Sequence, residues 1–182
     1  GLMACGGSDA PGETASTPAE AVVTTADSEV SAVPPTAIET IEGRVSFAVN
    51  GQPVEFTYFP ADHNYYLKIS SSVRAYPQAG AAEQFGLTFL SLDLKQFSYP
   101  SELPPPREIG KPMDMRMAMA SVGFIYVDEN GMEWAGPASV TIESFDENGT
   151  LRGSFGEVRL PQVDDQSPDI VLSEGHFRVR LR

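Results

Sequence analysis

The sequence predicts an all-β protein: an antiparallel β-sandwich, or a partly open barrel, of about 8–10 strands following a disordered N-terminal tether. Three observations predict it. Apolar residues alternate with a period of two from about residue 38 onward, tight-turn signals separate the alternating runs, and helix-period segments are nearly absent. The chain divides accordingly into residues 1–5, residues 6–37 and a β domain over 38–182, and its 182 residues suit one domain with a proper core.

The first segment centres on the lone cysteine. Leu2-Met3-Ala4-Cys5 followed by Gly6-Gly7-Ser8-Asp9 resembles a bacterial lipobox, in which a small residue before the cysteine admits signal peptidase and the thiol receives diacylglycerol. That resemblance implies a signal-peptide remnant and lipidation at Cys5, with membrane attachment through the lipid. Gly6, rather than Asp, after the cysteine resembles the pattern that enterobacterial sorting rules send to the outer membrane, which implies the outer membrane of a bacterial cell envelope, on its periplasmic or surface face. One cysteine leaves no intramolecular disulfide and no cysteine-rich metal site.

Residues 6–37 are Ala, Ser, Thr, Pro, Glu and Asp with hardly a large apolar side chain and no Lys or Arg. Such a stretch cannot bury enough to fold. It is expected to be an extended, self-repelling spacer closed by Pro34-Pro35.

The β domain opens on a hairpin. Val45, Phe47 and Val49 alternate with Arg44, Ser46 and Ala48, and Asn50-Gly51 leads into Val54, Phe56 and Tyr58. A two-residue turn sets Phe47 opposite Val54 and Val45 opposite Phe56. Pro53 then falls opposite Ala48, with its missing N–H on an open outer edge. Further strands are expected over 65–76, 85–94, 113–127, 132–134, 138–145, 150–160 and 170–182. The apolar phase changes between Phe89 and Leu90, as at a bulge. Asp-Glu-Asn-Gly at 128–131 and again at 146–149 suits one kind of hairpin turn, pairing Val127 with Met132 and Ile125 with Trp134, then Val140 with Phe155 and Glu143 with Arg152. Neither turn carries the alternating oxygen ligands of a calcium loop. The proline-rich stretch 99–106 cannot hold a central strand and reads as a surface loop.

Twelve basic against 25 acidic residues leave a net charge of −13, which excludes a general nucleic-acid binder. No apolar run approaches the roughly 18 residues of a membrane-spanning helix. The two histidines, His63 and His176, lie in no catalytic motif, and no nucleophile elbow, phosphate loop, zinc spacing or dinucleotide fingerprint is present. The expectation is therefore a protein that is not an enzyme and needs no cofactor. Asp164, Asp165 and Asp169 form an acidic loop of the solvated kind.

Two features invite sharper readings. Met113, Met115, Met117 and Met119 recur at a spacing of two, which would fill a core from one strand face; as soft thioether ligands they would alternatively hold Cu(I), making copper the alternative cofactor. His176, Arg178, Arg180 and Arg182 share one face of the last strand, opposite Phe177, Val179 and Leu181. Such a stripe keeps a terminal strand solvated, and could also meet phosphate or acidic glycan. Tyr65, Tyr66, Tyr99 and Trp134 would stack on sugars or fill the core.

The Val49-Asn50-Gly51 hairpin with Gly153-Ser154-Phe155 and Gly175-His176-Phe177 resembles small bacterial envelope lipoproteins of unknown function, over residues 44–182. The resemblance implies a tethered β-sandwich and carries over no catalytic residue. The expected function is a non-enzymatic binding or assembly module with an envelope protein or glycan as partner. The alternatives are a Cu(I)-binding protein and a glycan-processing enzyme with paired carboxylates.

Overall fold

The computed structural model describes residues 38–106 and 118–182. Cys5, the tether, and Met113, Met115 and Met117 lie outside the described residues.

The opening hairpin forms as its sequence predicts. β1 (Gly43–Val49) and β2 (Gln52–Phe56) pair with Phe47 opposite Val54, Val45 opposite Phe56 and Ala48 opposite Pro53. Asn50 and Gly51 turn the chain at φ of 49° and 81°, the pair of left-handed residues that a two-residue hairpin demands.

The remaining strands are β3 (Ser70–Ala75), β4 (Gln84–Leu90), β5 (Ser101–Leu103), β6 (Ser121–Val127), β7 (Glu133–Pro137), β8 (Val140–Phe145), β9 (Thr150–Phe155), β10 (Val158–Leu160) and β11 (Ile170–Arg180). Eleven strands among the described residues exceed the expected 8–10. Two departures account for this. The 99–106 stretch is more than a loop, because Ser101–Leu103 pairs with β8 at the edge of a sheet and buries Leu103; an edge is where prolines leave a strand possible. The 150–160 run breaks at Gly156-Glu157, yet its register against β11 continues across the break, from Phe155 opposite Gly175 to Val158 opposite Leu172.

One sheet has the order β2-β1-β11-β9-β8-β5 with β10 also on β11; the other has the order β3-β4-β6-β7. Every strand pair among the described residues is antiparallel, and the two sheets form a sandwich rather than a closed barrel. The core lies between them. Phe155 of β9 stacks on Phe85 of β4 at 5.8 Å and 12°, meets Phe124 of β6 edge-on at 4.9 Å, and Phe47 of β1 lies 4.8 Å from Phe85. Trp134 is buried, its Nε1 donating to the Pro168 carbonyl at 3.0 Å, and so belongs to the core rather than to a sugar platform.

Other strand limits shift for local reasons. β3 begins at Ser70, not at 65, because Ser71 Oγ bonds the backbone of Leu67 and turns the chain there. β4 carries no bulge: its ladder with β6 is unbroken from Gln84 to Leu90, and Ser91 at φ 55° then redirects the chain so that Leu92 and Leu94 are buried. β6 begins only at Ser121. Met119, 71% exposed, therefore stands outside both strand and core, against the expectation of an inward methionine stripe.

Both Asp-Glu-Asn-Gly turns adopt one geometry. Gly131 and Gly149 sit at φ 80°, and Asp128 and Asp146 each accept two backbone N–H bonds: from Asn130 and Met132 at 2.9 Å, and from Asn148 and Thr150 at 2.9 and 2.8 Å. The aspartate thus pairs across a three-residue loop, moving the register one place from expectation. Tyr126, not Ile125, faces Trp134, and Val127 faces Glu133 rather than Met132. In the second hairpin Ser144 displaces Glu143 opposite Arg152, and a bulge at Glu143 then restores the expected phase from Ile142 opposite Gly153.

Candidate functional site

Strand order assembles a basic face that no single strand contains. β11 alternates as expected, with Phe177, Val179 and Leu181 buried and His176, Arg178, Arg180 and Arg182 exposed. On its flanks β1 sets Arg44 opposite Arg178, and β9 sets Arg152 opposite Arg178 from the other side. The result is a row of three arginines across neighbouring strands on the outer face of the larger sheet. In the next row His176 lies between Ser46 and Ser154. Arg180 faces Thr150 in the row on the other side.

The geometry around the row comes from two local devices. Gly153 follows Arg152, and a Cβ there would stand 2.5 Å from both the Phe177 ring and the Thr141 carbonyl oxygen, so only glycine lets the strands close behind the row. β11 carries a bulge: Ser46 faces His176 but Ala48 faces Ser173, leaving Glu174 and Gly175 opposite Phe47, with Glu174 at φ 54°. A shallow depression of about 390 Å³ sits here, lined by Arg44, Arg152, His176, Arg178 and, at its rim, Glu143.

Carboxylates neutralise part of the row. Arg44 Nε donates to Glu55 at 2.9 Å, and Arg178 lies 3.3 Å from Glu42, both pairs exposed. Exposed pairs of this kind contribute little to stability. Arg152, Arg180 and His176 have no ion-pair partner among the described residues. Arg182 turns away from the row to Glu39, donating through Nη1 at 2.8 Å, and that pairing holds the Glu39 carboxyl below its usual range.

The tyrosines separate. Tyr66 donates its hydroxyl to Asp93, with Lys95 4.9 Å above its ring; desolvation and Asp93 push its pKa up to about 12. Tyr99 donates to the Leu94 carbonyl, and burial likewise pushes it up to about 12. Both tie down the Leu94–Gln96 turn and are not part of the arginine face. Tyr65 lines a separate depression on the smaller sheet.

Sequence reasoning named His176, Arg178 and Arg180 but missed Arg44 and Arg152. The available signal was their alternation with Val45 and Leu151, which marks them as outward; that they flank Arg178 depends on strand order. No group of three or more His, Cys, Asp or Glu suited to a metal ion occurs among the described residues. No helix there is long and apolar enough to cross a membrane.

Comparison with known proteins returns no matching family model, no matching curated protein and no matching solved structure.

Proposed function

We propose that the chain is a lipid-anchored envelope protein, held through Cys5, whose β domain is a non-enzymatic module that binds an anionic partner on the outer face of the larger sheet. The observation that carries this reading is the row Arg44, Arg178, Arg152. Like charges directly opposite on neighbouring strands cost stability, and this chain has 25 acidic residues with which it could have flanked Arg178. A phosphate-bearing or acidic glycan partner lying across the row would relieve that repulsion and gain forked guanidinium contacts.

The edges of the larger sheet offer less. Pro53 removes a donor from the exposed side of β2, and β5 is three residues long between Pro100 and Pro104. Strand addition at either edge is thereby disfavoured, which moves the weight of the reading from an edge to a face.

Retention of the full chain on immobilised heparin, used as a generic polyanion, tests the reading. The wild type should bind at low salt despite its net charge of −13, and the variant Arg44→Ser, Arg152→Gln, Arg178→Ser should flow through. Equal behaviour of the two would overturn the binding face. Mass spectrometry of the natively processed protein checks the anchor separately, through diacylglycerol on Cys5.

A further inference from the structure

The outer face of the smaller sheet carries a second constellation, independent of the arginine face. The chain from Pro60 to Tyr65 crosses beside β3 and is fastened to it by one fully buried side chain. Asn64 donates through Nδ2 to the carbonyls of Pro60 at 2.8 Å and Arg74 at 2.9 Å, and accepts from the Arg74 N–H at 2.8 Å. This clamp fixes His63 and Tyr65, one on each side of it, against β3. Tyr65 also exchanges two backbone bonds with Ser72, at 3.0 and 3.1 Å.

A depression of about 440 Å³ opens here, its lining including His63, Tyr65, Arg74, Tyr76, Gln84 and Glu133. That volume falls within the roughly 300–1,000 Å³ of small-molecule sites. Tyr76 is held from two sides: its hydroxyl lies 3.2 Å from His63 Nδ1, and its ring meets Tyr58 edge-on at 6.4 Å. Arg74 crosses Gly86, the residue opposite it on β4, so closely that a Cβ there would stand 2.6 Å from Nη1. The guanidinium has no ion-pair partner among the described residues. Gln84 and Glu133 arrive from β4 and β7 in one row, both opposite Val127.

We infer that this depression binds an uncharged saccharide, with Tyr65 and Tyr76 as ring platforms and Arg74, Gln84, Glu133 and His63 as partners for hydroxyl groups. The chemistry narrows the ligand class. Asp62 and Glu133 against Arg74 put one more carboxylate than guanidinium around the depression, which disfavours an anion. Planar side chains with paired donors or acceptors outnumber apolar ones, which disfavours a hydrophobe. Adjacent hydroxyls on an apolar ring match both features, since aromatic faces take the ring and forked polar groups take the hydroxyl pairs. The site is also preorganised, because the Asn64 clamp and Gly86 fix its two sides before any ligand arrives.

Two-dimensional NMR of the nitrogen-labelled full chain, titrated with chitotetraose, maltotetraose and galactobiose, tests the inference. At least one of these sugars should saturably shift the amides of Arg74, Tyr76, Gln84 and Gly86 at millimolar concentration. Gln84→Ala and Tyr76→Ala should each weaken that binding by about tenfold. Gly86→Ala should weaken it as much as Arg74→Ala does, because the atoms its Cβ would displace first all belong to the Arg74 side chain. Arg152→Gln should leave it unchanged, which separates this site from the arginine face. Silence of those amides with all three sugars would overturn the inference, as would their movement by inorganic phosphate instead, or a Gly86→Ala variant that binds as the wild type does.

Discussion

Arg44 and Arg178 face each other as register partners on neighbouring antiparallel strands, like charge to like charge, and Arg178 faces Arg152 on its other flank. Among the described residues, carboxylates form ion pairs with two of the three, Glu55 with Arg44 and Glu42 with Arg178, and Arg152 acts on Asp146 only through its charge. The row is thus a local positive concentration on a strongly acidic chain, and its repulsion is measurable.

Removing the arginine without a carboxylate partner should stabilise the domain. Arg152→Gln keeps a long polar side chain and takes away one like-charge neighbour, so unfolding free energy should rise by roughly 0.2–1 kcal/mol at low ionic strength. The gain should shrink as salt screens the row. Urea unfolding at two ionic strengths checks both halves; a less stable variant at low salt would mean that Arg152 is held by contacts rather than strained by its neighbour.

The inner side of the same strands predicts the opposite sign. Gly175 is buried on β11, and a Cβ there would stand 2.1 Å from the Phe155 ring, which itself packs on Phe85 and Phe124. Gly175→Ala should therefore overpack the core and cost about 1–3 kcal/mol. Adding Phe155→Leu should recover part of that cost, so the double variant will be more stable than the sum of the two single changes allows. Strict additivity in denaturant unfolding would show that the two sites do not compete for the same space.

The second Asp-Glu-Asn-Gly turn predicts a pH dependence. The Thr150 N–H, with that of Asn148, donates to the Asp146 carboxylate and lowers its pKa below the ordinary 3.8. A depressed folded-state value means that the stabilisation is present above the ordinary carboxylate value and is lost as pH falls through the lower, folded one. Asp146→Ala should lower the melting temperature at neutral pH, and the difference from wild type should close in strong acid. A gap that stays constant into acid would mean that the turn is held by its glycine alone.

Local chemistry determined a large share of this protein. Period-two alternation, Asn50-Gly51 and the outward phase of β11 were legible because each depends on residues close in the chain, and the register from Val45 opposite Phe56 to Ala48 opposite Pro53 follows from one turn. Where two turn geometries fit the same four residues, the reading moved by one place; the aspartate's double acceptance from the backbone chose the three-residue loop in both hairpins.

Long-range pairing decided the rest. Nothing near Arg178 in the chain announces that Arg44, from the first strand, and Arg152, from the ninth, will flank it; that follows only because β1 and β9 close on the two sides of β11. Likewise the sequence shows Asn64, Arg74 and Gly86 as three scattered residues, and packing alone turns them into a clamp, a guanidinium and the space beneath it. Side-chain alternation assigns each residue a face from local information, whereas its neighbours on that face are set by which strands come to lie side by side, a choice made by burying the whole core at once.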